Sequence, residues 1–216
     1  ANMILTAAHV IDEFNGEPFA IGVEGRTLST EARMNFNLPP SGSTRNDDAI
    51  DVGAIRLKEE WPNDTGRTFL NVDQIQLVPR LNSRLAYMIF GCTATRTKVD
   101  HPKKTLSAEP LHLFGLHESV GILGNPQFED SLHVAMSAPT KEMVSSSGER
   151  VQLPSLRGLS GGAVWSFDPL DGNNMAANAR LVAVFTEHQR GKFGVGTRIG
   201  SHFELIRTGW PDLSEH

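Results

Sequence analysis

The chain has 216 residues and a formal net charge of −5. That charge gives no support to nucleic-acid binding, which calls for a basic stripe, and no stretch approaches the roughly 18 consecutive apolar residues of a membrane helix. With 39% hydrophobic and 21% charged residues, the composition is that of a water-facing chain with a real core in one or two domains.

Taken in order, residues 1–10 read as a strand ending at His9, in the run Ile4-Leu5-Thr6-Ala7-Ala8-His9. Residues 11–50 are mostly loop and short strands, with the apolar fragment Ile21-Gly22-Val23 and a turn-rich break at Pro39-Pro40-Ser41-Gly42-Ser43. Asp51 then opens the alternating strand Val52-Gly53-Ala54-Ile55-Arg56-Leu57. Residues 58–68 are polar, a long loop or the start of a link between domains. Gln74 to Pro79 alternates, as a strand or part of a crossover. Leu85-Ala86-Tyr87-Met88-Ile89-Phe90-Gly91 reads as a buried strand stopped by its glycine, the first of a second barrel.

Further short strands are predicted around 111–116, 132–137 and 151–153. Ala163–Phe167, Leu181–Thr186 and Phe193–Ile199 follow, the last two joined as a hairpin through Gln189-Arg190-Gly191. The tail from Ser201 to Arg207 reads as a short helix with Ser201 at its N-cap. Many short strands separated by turn signals point to an all-β barrel or sandwich.

Three stretches carry chemistry. In Gly158-Leu159-Ser160-Gly161-Gly162 a serine sits between glycines and an apolar strand follows at once. Taken alone this is ordinary loop composition, but a serine so held presents its hydroxyl among backbone N–H groups, as a nucleophile with an oxyanion hole requires. His9 alone would be structural more often than catalytic. Asp51 has two rivals, Asp47 and Asp48, in the same acidic loop. Together the three give the chain order His, Asp, Ser, one of three orders in which unrelated folds carry this triad.

At these residues the chain resembles the trypsin-like serine peptidases of chymotrypsin fold. Thr6-Ala7-Ala8-His9 is similar to their histidine motif, Asp51 with its strand to their aspartate motif, and Gly158 to Gly162 to their nucleophile motif except at Leu159. The resemblance runs from residue 3 to about 207 but is specific only at these three motifs and the two strands after Ser160. One cysteine, Cys92, allows no internal disulfide, so the likeness is to cysteine-poor bacterial members and the expected compartment is reducing and cytoplasmic.

The resemblance implies two six-stranded antiparallel β-barrels and a short C-terminal helix, divided into an N-terminal domain (1–75) carrying His9 and Asp51 and a C-terminal domain (76–216) carrying Ser160. About one strand precedes His9 and residue 1 is not methionine, so the first barrel is expected to lack upstream strands. His9 is then the general base, Asp51 its orienting carboxylate and Ser160 the nucleophile of an endopeptidase. The N–H groups of Gly158 and Ser160 form the oxyanion hole. Thr186 matches the residue that helps hold the aspartate and borders the substrate.

Pro154, six before Ser160, falls at the base of the primary specificity pocket, beside Ser155. Gly194 is expected to leave one wall open and His188 to narrow the rim. With no charge at Pro154, a neutral side chain of modest size is expected there, or an acid or amide meeting Ser155 and His188. Lys or Arg is disfavoured unless Glu187 turns inward.

Leu159 stands where activated digestive enzymes carry an aspartate that pairs with a new N-terminal amine. Activation by a regulatory partner or by loop ordering is expected in its place. Substrates are proteins or peptides; no cofactor, metal, nucleic acid or membrane is called for. His112, His117 and Glu118 are adjacent but lack zinc-site spacing. Two other classes compete. A binding or scaffold module on the same fold would not need all three motifs. An esterase would satisfy Gly158-x-Ser160-x-Gly162 but wants alternating strands and long helices with histidine last.

Overall fold

Short apolar runs punctuated by turn residues become strands in the computed structural model. It describes residues 2–13, 19–23, 26–30, 33–57, 69–78, 85–100, 105–141, 143–144, 148–153 and 155–213. In the N-terminal part β1 (Met3–Ala7), β4 (Arg33–Phe36) and β5 (Val52–Arg56) form an antiparallel sheet of order β1-β5-β4. Thr6 lies opposite Gly53 and Ala7 opposite Val52. Between them β2 (Phe19–Val23) and β3 (Arg26–Thr30) pair as a separate hairpin. Ile11, Ile55 and Leu57 are buried here, with Ile4, Met34, Phe36 and Phe69 packed against them.

The C-terminal part is a closed antiparallel barrel. Its strands are β6 (Ala86–Asp100), β7 (Thr105–Glu118), β8 (His133–Ser137), β11 (Ala163–Phe167), β12 (Arg180–Gln189) and β13 (Phe193–Arg198), in the order β11-β12-β13-β8-β7-β6. A small ladder of β9 (Met143–Val144) and β10 (Arg150–Val151) lies outside it. Side chains alternate across the barrel wall, as strand geometry requires. Tyr87, Ile89, Leu111 and Leu113 are buried, while Phe90, Phe114 and Leu116 face outward. Val134, Met136, Val164 and Phe185 complete the interior, so the barrel has a core separate from that of the first sheet.

Among the described residues the α-helices are short: α1 (Ala8–Asp12), α2 (Met175–Asn178) and α3 (Ile199–Gly209). The last crosses back onto the N-terminal sheet. Asn35 Nδ2 donates to Leu205 O at 3.4 Å, Arg56 Nη1 lies 2.7 Å from Asp212 Oδ2, and His202 Nε2 lies 3.0 Å from Thr6 O. Among the described residues no helix is long and apolar enough to cross a membrane.

Several expectations change in detail. His9 does not end a strand; β1 stops at Ala7 and His9 falls in the first turn of α1. β6 does not stop at Gly91 but runs on to Asp100. The glycine makes room instead: a β-carbon there would lie 2.8 Å from Leu159 Cδ1. α3 begins at Ile199 after an extended Arg198, so Ser201 is inside the helix and not its cap. From Gln74 to Pro79 the described residues give a turn at Val72–Gln74 and one bridge, Ile75 to Leu181, in place of a strand. The hairpin of β12 and β13 turns where expected, with Arg190 and Gly191 both at positive φ and Lys192 N donating to Gln189 O.

Candidate active site

The site is built where β1, the loop before β5 and the turn before β11 converge. Asp51 grips Ala8 and His9 through three hydrogen bonds. Its backbone carbonyl accepts from Ala8 N at 3.2 Å, its Oδ1 from His9 N at 2.9 Å, and its Oδ2 from His9 Nδ1 at 2.6 Å. A carboxylate can only accept, so Nδ1 carries the imidazole proton and Nε2 keeps its lone pair. The hydrogen bond to Asp51 raises the His9 pKa above its ordinary value of 6.5, against the opposing effect of burial. Asp51 achieves this from a left-handed backbone, φ 44°, a conformation that Asp tolerates better than most residues.

That backbone is held from the C-terminal barrel. The carbonyl of Ala49 accepts from His133 Nε2 at 2.7 Å, and the carbonyl of Ile50 accepts from Thr197 Oγ1 at 2.6 Å. Both donors are fully buried. His133 Nδ1 in turn accepts from Glu129 N at 3.1 Å, which fixes the neutral ring with its proton on Nε2. The rivals of Asp51 are engaged elsewhere. Asp47 accepts from Thr44 N and Oγ1, and Asp48 accepts from Asn37 Nδ2 and Arg45 Nη1.

Ser160 sits in the turn entering β11. Its Oγ donates to Thr186 O at 2.9 Å and makes no hydrogen bond to His9. Thr186 is presented by a bulge in β12, where the register against β13 shifts between Phe185 and Glu187. The bulge turns two successive carbonyls to the nucleophile turn: Phe185 O accepts from Gly161 N at 2.9 Å and Thr186 O accepts the serine hydroxyl.

Within that turn Leu159, Gly161 and Gly162 all spend their N–H groups on backbone carbonyls. Gly158 and Ser160 N–H have no acceptor among the described residues. Gly158 has φ +85°, and a β-carbon there would lie 2.7 Å from Ala94 N. No other residue fits that position without moving the backbone.

The remaining predicted residues separate. Pro154 lies outside the described residues. Ser155 is exposed, its Oγ accepting from Arg157 N at 3.4 Å. Thr186 Oγ1 donates to Val195 O, its neighbour across the sheet, and not to Asp51. His188 Nε2 donates to Ala138 O at 2.9 Å. Gly194 leaves no open wall: a β-carbon there would meet Ile89, Met136 and Phe185 between 2.8 and 3.4 Å, so core side chains fill that space.

Leu159 is buried in the same core. His112 and His117 stack on Phe90 and Tyr87, and among the described residues no group of three or more potential ligands gathers for a metal.

A cavity of about 530 Å³ opens on the other flank, walled by His9, Asp51, Thr186, Glu187, Gln189 and Phe128. Asp12, Glu13, Arg45 and Gln189 were not singled out by sequence reasoning, and Asp48 was weighed only as a rival of Asp51. None lies in a motif; Asp12 shares α1 with His9, and the chain between β4 and β5 brings Arg45 and Asp48 beside them. Glu187, seen there only as a residue that would have to turn inward, lies on this wall. Burial raises its pKa, with Asp51 adding in the same sense and Gln189 opposing.

No family model matches the chain, and no curated protein matches it. Solved structures do. One is the scabies mite inactivated protease paralogue S-I1, at 16% identity and TM-score 0.55, over 95% of this chain and 83% of that one. Another is kallikrein-related peptidase 10, at 12% identity and TM-score 0.50, over 97% of this chain and 85% of the other. One of these is named inactivated and the other a peptidase, so the likeness bears on architecture and leaves activity to the site itself. The closed barrel, the second sheet packed beside it and the short C-terminal helix give this chain the chymotrypsin-type fold of the trypsin-like serine proteases.

Proposed function

We propose that the chain is a serine endopeptidase of two domains, divided near residues 75 and 76, that cleaves proteins or peptides through an acyl-enzyme on Ser160. The observation that carries this reading is the grip of Asp51 on the His9 backbone and ring, which leaves Nε2 as the accepting nitrogen. A histidine needed only for packing has no use for a tautomer fixed in this way. Nε2 takes the serine proton as Oγ attacks the scissile carbonyl, and returns it to the leaving amine. Asp51 stabilises the imidazolium in between. The N–H groups of Gly158 and Ser160, without acceptors among the described residues, receive the oxyanion, each worth about 3 kcal/mol in the transition state.

In the resting site the hydroxyl is turned onto Thr186 O. Past Thr186, β12 keeps β13 on one side and has no strand on the other among the described residues. An extended peptide adding to that open edge donates an N–H to the Thr186 carbonyl and takes the place of the hydroxyl, which rotates to His9. Substrate docking and arming of the nucleophile are thereby one event. Activation by a regulatory partner acts on the same step. A new N-terminal amine does not, because Leu159 offers it no carboxylate.

The turned hydroxyl also favours a second reading, an inactive binding module on the same fold. A fluorophosphonate separates the two: a serine peptidase is labelled at Ser160 alone, faster when a peptide occupies the site, and a binding module is not labelled. Persistent labelling in Ser160→Ala overturns the assignment of the nucleophile.

A further inference from the structure

The cavity beside His9 is not balanced in charge. Arg45 is spent on two of its carboxylates, with Nε 2.7 Å from Asp12 Oδ2 and Nη1 2.6 Å from Asp48 Oδ2. His9 is spent on Asp51. Glu187 remains. Among the described residues its side chain forms no ion pair, and the hydrogen bond it makes is accepted by Oε2 from Gln189 Nε2 at 2.7 Å.

The two side chains meet because residues two apart in a strand share a face, and that face of β12 looks into the cavity. The amide fixes the carboxylate against the wall through one oxygen and leaves the other open to the space. Phe128, on the same wall, offers an apolar surface for an alkyl stem. A half-buried carboxylate without a counter-charge is costly to keep, and a ligand cation relieves that cost. Ile89, Met136 and Phe185 already fill the space at Gly194, whereas the cavity on the His9 side has room for a long side chain.

We infer that this cavity binds a lysine or arginine side chain of the substrate, with the free oxygen of Glu187 as its partner, at a position other than the residue that carries the scissile carbonyl. The inference rests on the peptidase reading and supplies its substrate class.

Two measurements on the purified chain test it apart from that reading. The first needs no catalysis: n-butylammonium and 1-butanol are titrated while the His9 ring and Gln189 side-chain amide resonances are followed. Saturable shifts with the ammonium and not with the alcohol are expected. The affinity should fall at least tenfold in Glu187→Gln and return in Glu187→Asp, which keeps the charge.

The second compares cleavage of peptide libraries carrying lysine or norleucine at each position, alongside fluorophosphonate labelling. A lysine preference lost in Glu187→Gln supports the inference. Labelling of Ser160 without ammonium binding or lysine preference overturns it and leaves the peptidase reading standing. Ammonium binding without labelling or cleavage keeps the cation site and removes the peptidase.

Discussion

A serine hydroxyl that donates to a carbonyl has committed the proton that a base must take, and Ser160 is in that state on Thr186 O. Ser160→Ala should abolish fluorophosphonate labelling while costing only about 1 kcal/mol in urea denaturation, the worth of one hydrogen bond. Asp51→Asn should slow labelling by about 10⁴-fold, since an amide can present its N–H to Nδ1 and reverse the tautomer. The pH profile carries a further signature. Nε2 accepts a proton only when the ring is neutral, and Asp51 raises the His9 pKa, so labelling should fail on the acid side at a pH above 6.5, the ordinary imidazole value. That limb should move down in Asp51→Asn; a limb that stays put would remove Asp51 from its role. His9, Asp51 and Ser160 were legible in the sequence because each lies in a short motif with a strand beside it. The direction of the serine hydroxyl was not, because its acceptor is made by a bulge, and nothing in Phe185-Thr186-Glu187 announces one.

Elements bring these residues together at two turns. The nucleophile turn depends on Leu159 being apolar, since it is buried among Tyr87, Ile89 and Leu113. Leu159→Asp places an unpaired carboxylate there and should cost about 3–5 kcal/mol by urea denaturation. A variant of unchanged stability would reveal a cation able to reach residue 159. Gly158→Ala adds a side chain at positive φ, with a penalty of about 1–2 kcal/mol before the contact with Ala94 is counted. Its labelling rate should fall further than its stability, because the amide that moves is the proposed oxyanion donor. The loop before β5 depends on His133 and Thr197 holding two successive carbonyls. Strand β11 could be read whole from Ala163 to Phe167, where apolar residues start abruptly after a glycine pair. Gly91 was misleading, since a glycine that ends a strand and one that admits a neighbouring loop look alike in sequence. The clamps of His133 and Thr197 had no local signal: each is one polar residue in an apolar strand, and its partner lies far away in the chain.

Across the whole molecule the two parts are joined by buried imidazoles. His202 is fully buried, with Nε2 on Thr6 O and Nδ1 3.4 Å from Arg198 O. Burial lowers the pKa of both His202 and His133. A lowered folded pKa means that the unfolded chain binds the proton more readily, so each contributes stability above 6.5 that is lost as pH falls below it. His9, with its raised pKa, contributes in the opposite sense. His202 and His133 therefore each take stability from the protein on acidification through this range. His202→Gln, which keeps a donor for Thr6 but cannot titrate, should flatten the slope of urea-denaturation free energy against pH; an unchanged slope would place the proton elsewhere. The cavity beside His9 was not visible in the sequence, because its walls come from α1, the loop before β5 and β12 at once. The bond from His202 to Thr6 joins residues 196 positions apart, and it sets a schedule. The base is made first on the ribosome and fastened late, after Ser160 has already emerged. A nascent chain halted before residue 202 therefore carries all three candidate catalytic residues without the buried bond that ties β1 to α3, and should stay dark to a fluorophosphonate until synthesis passes that point.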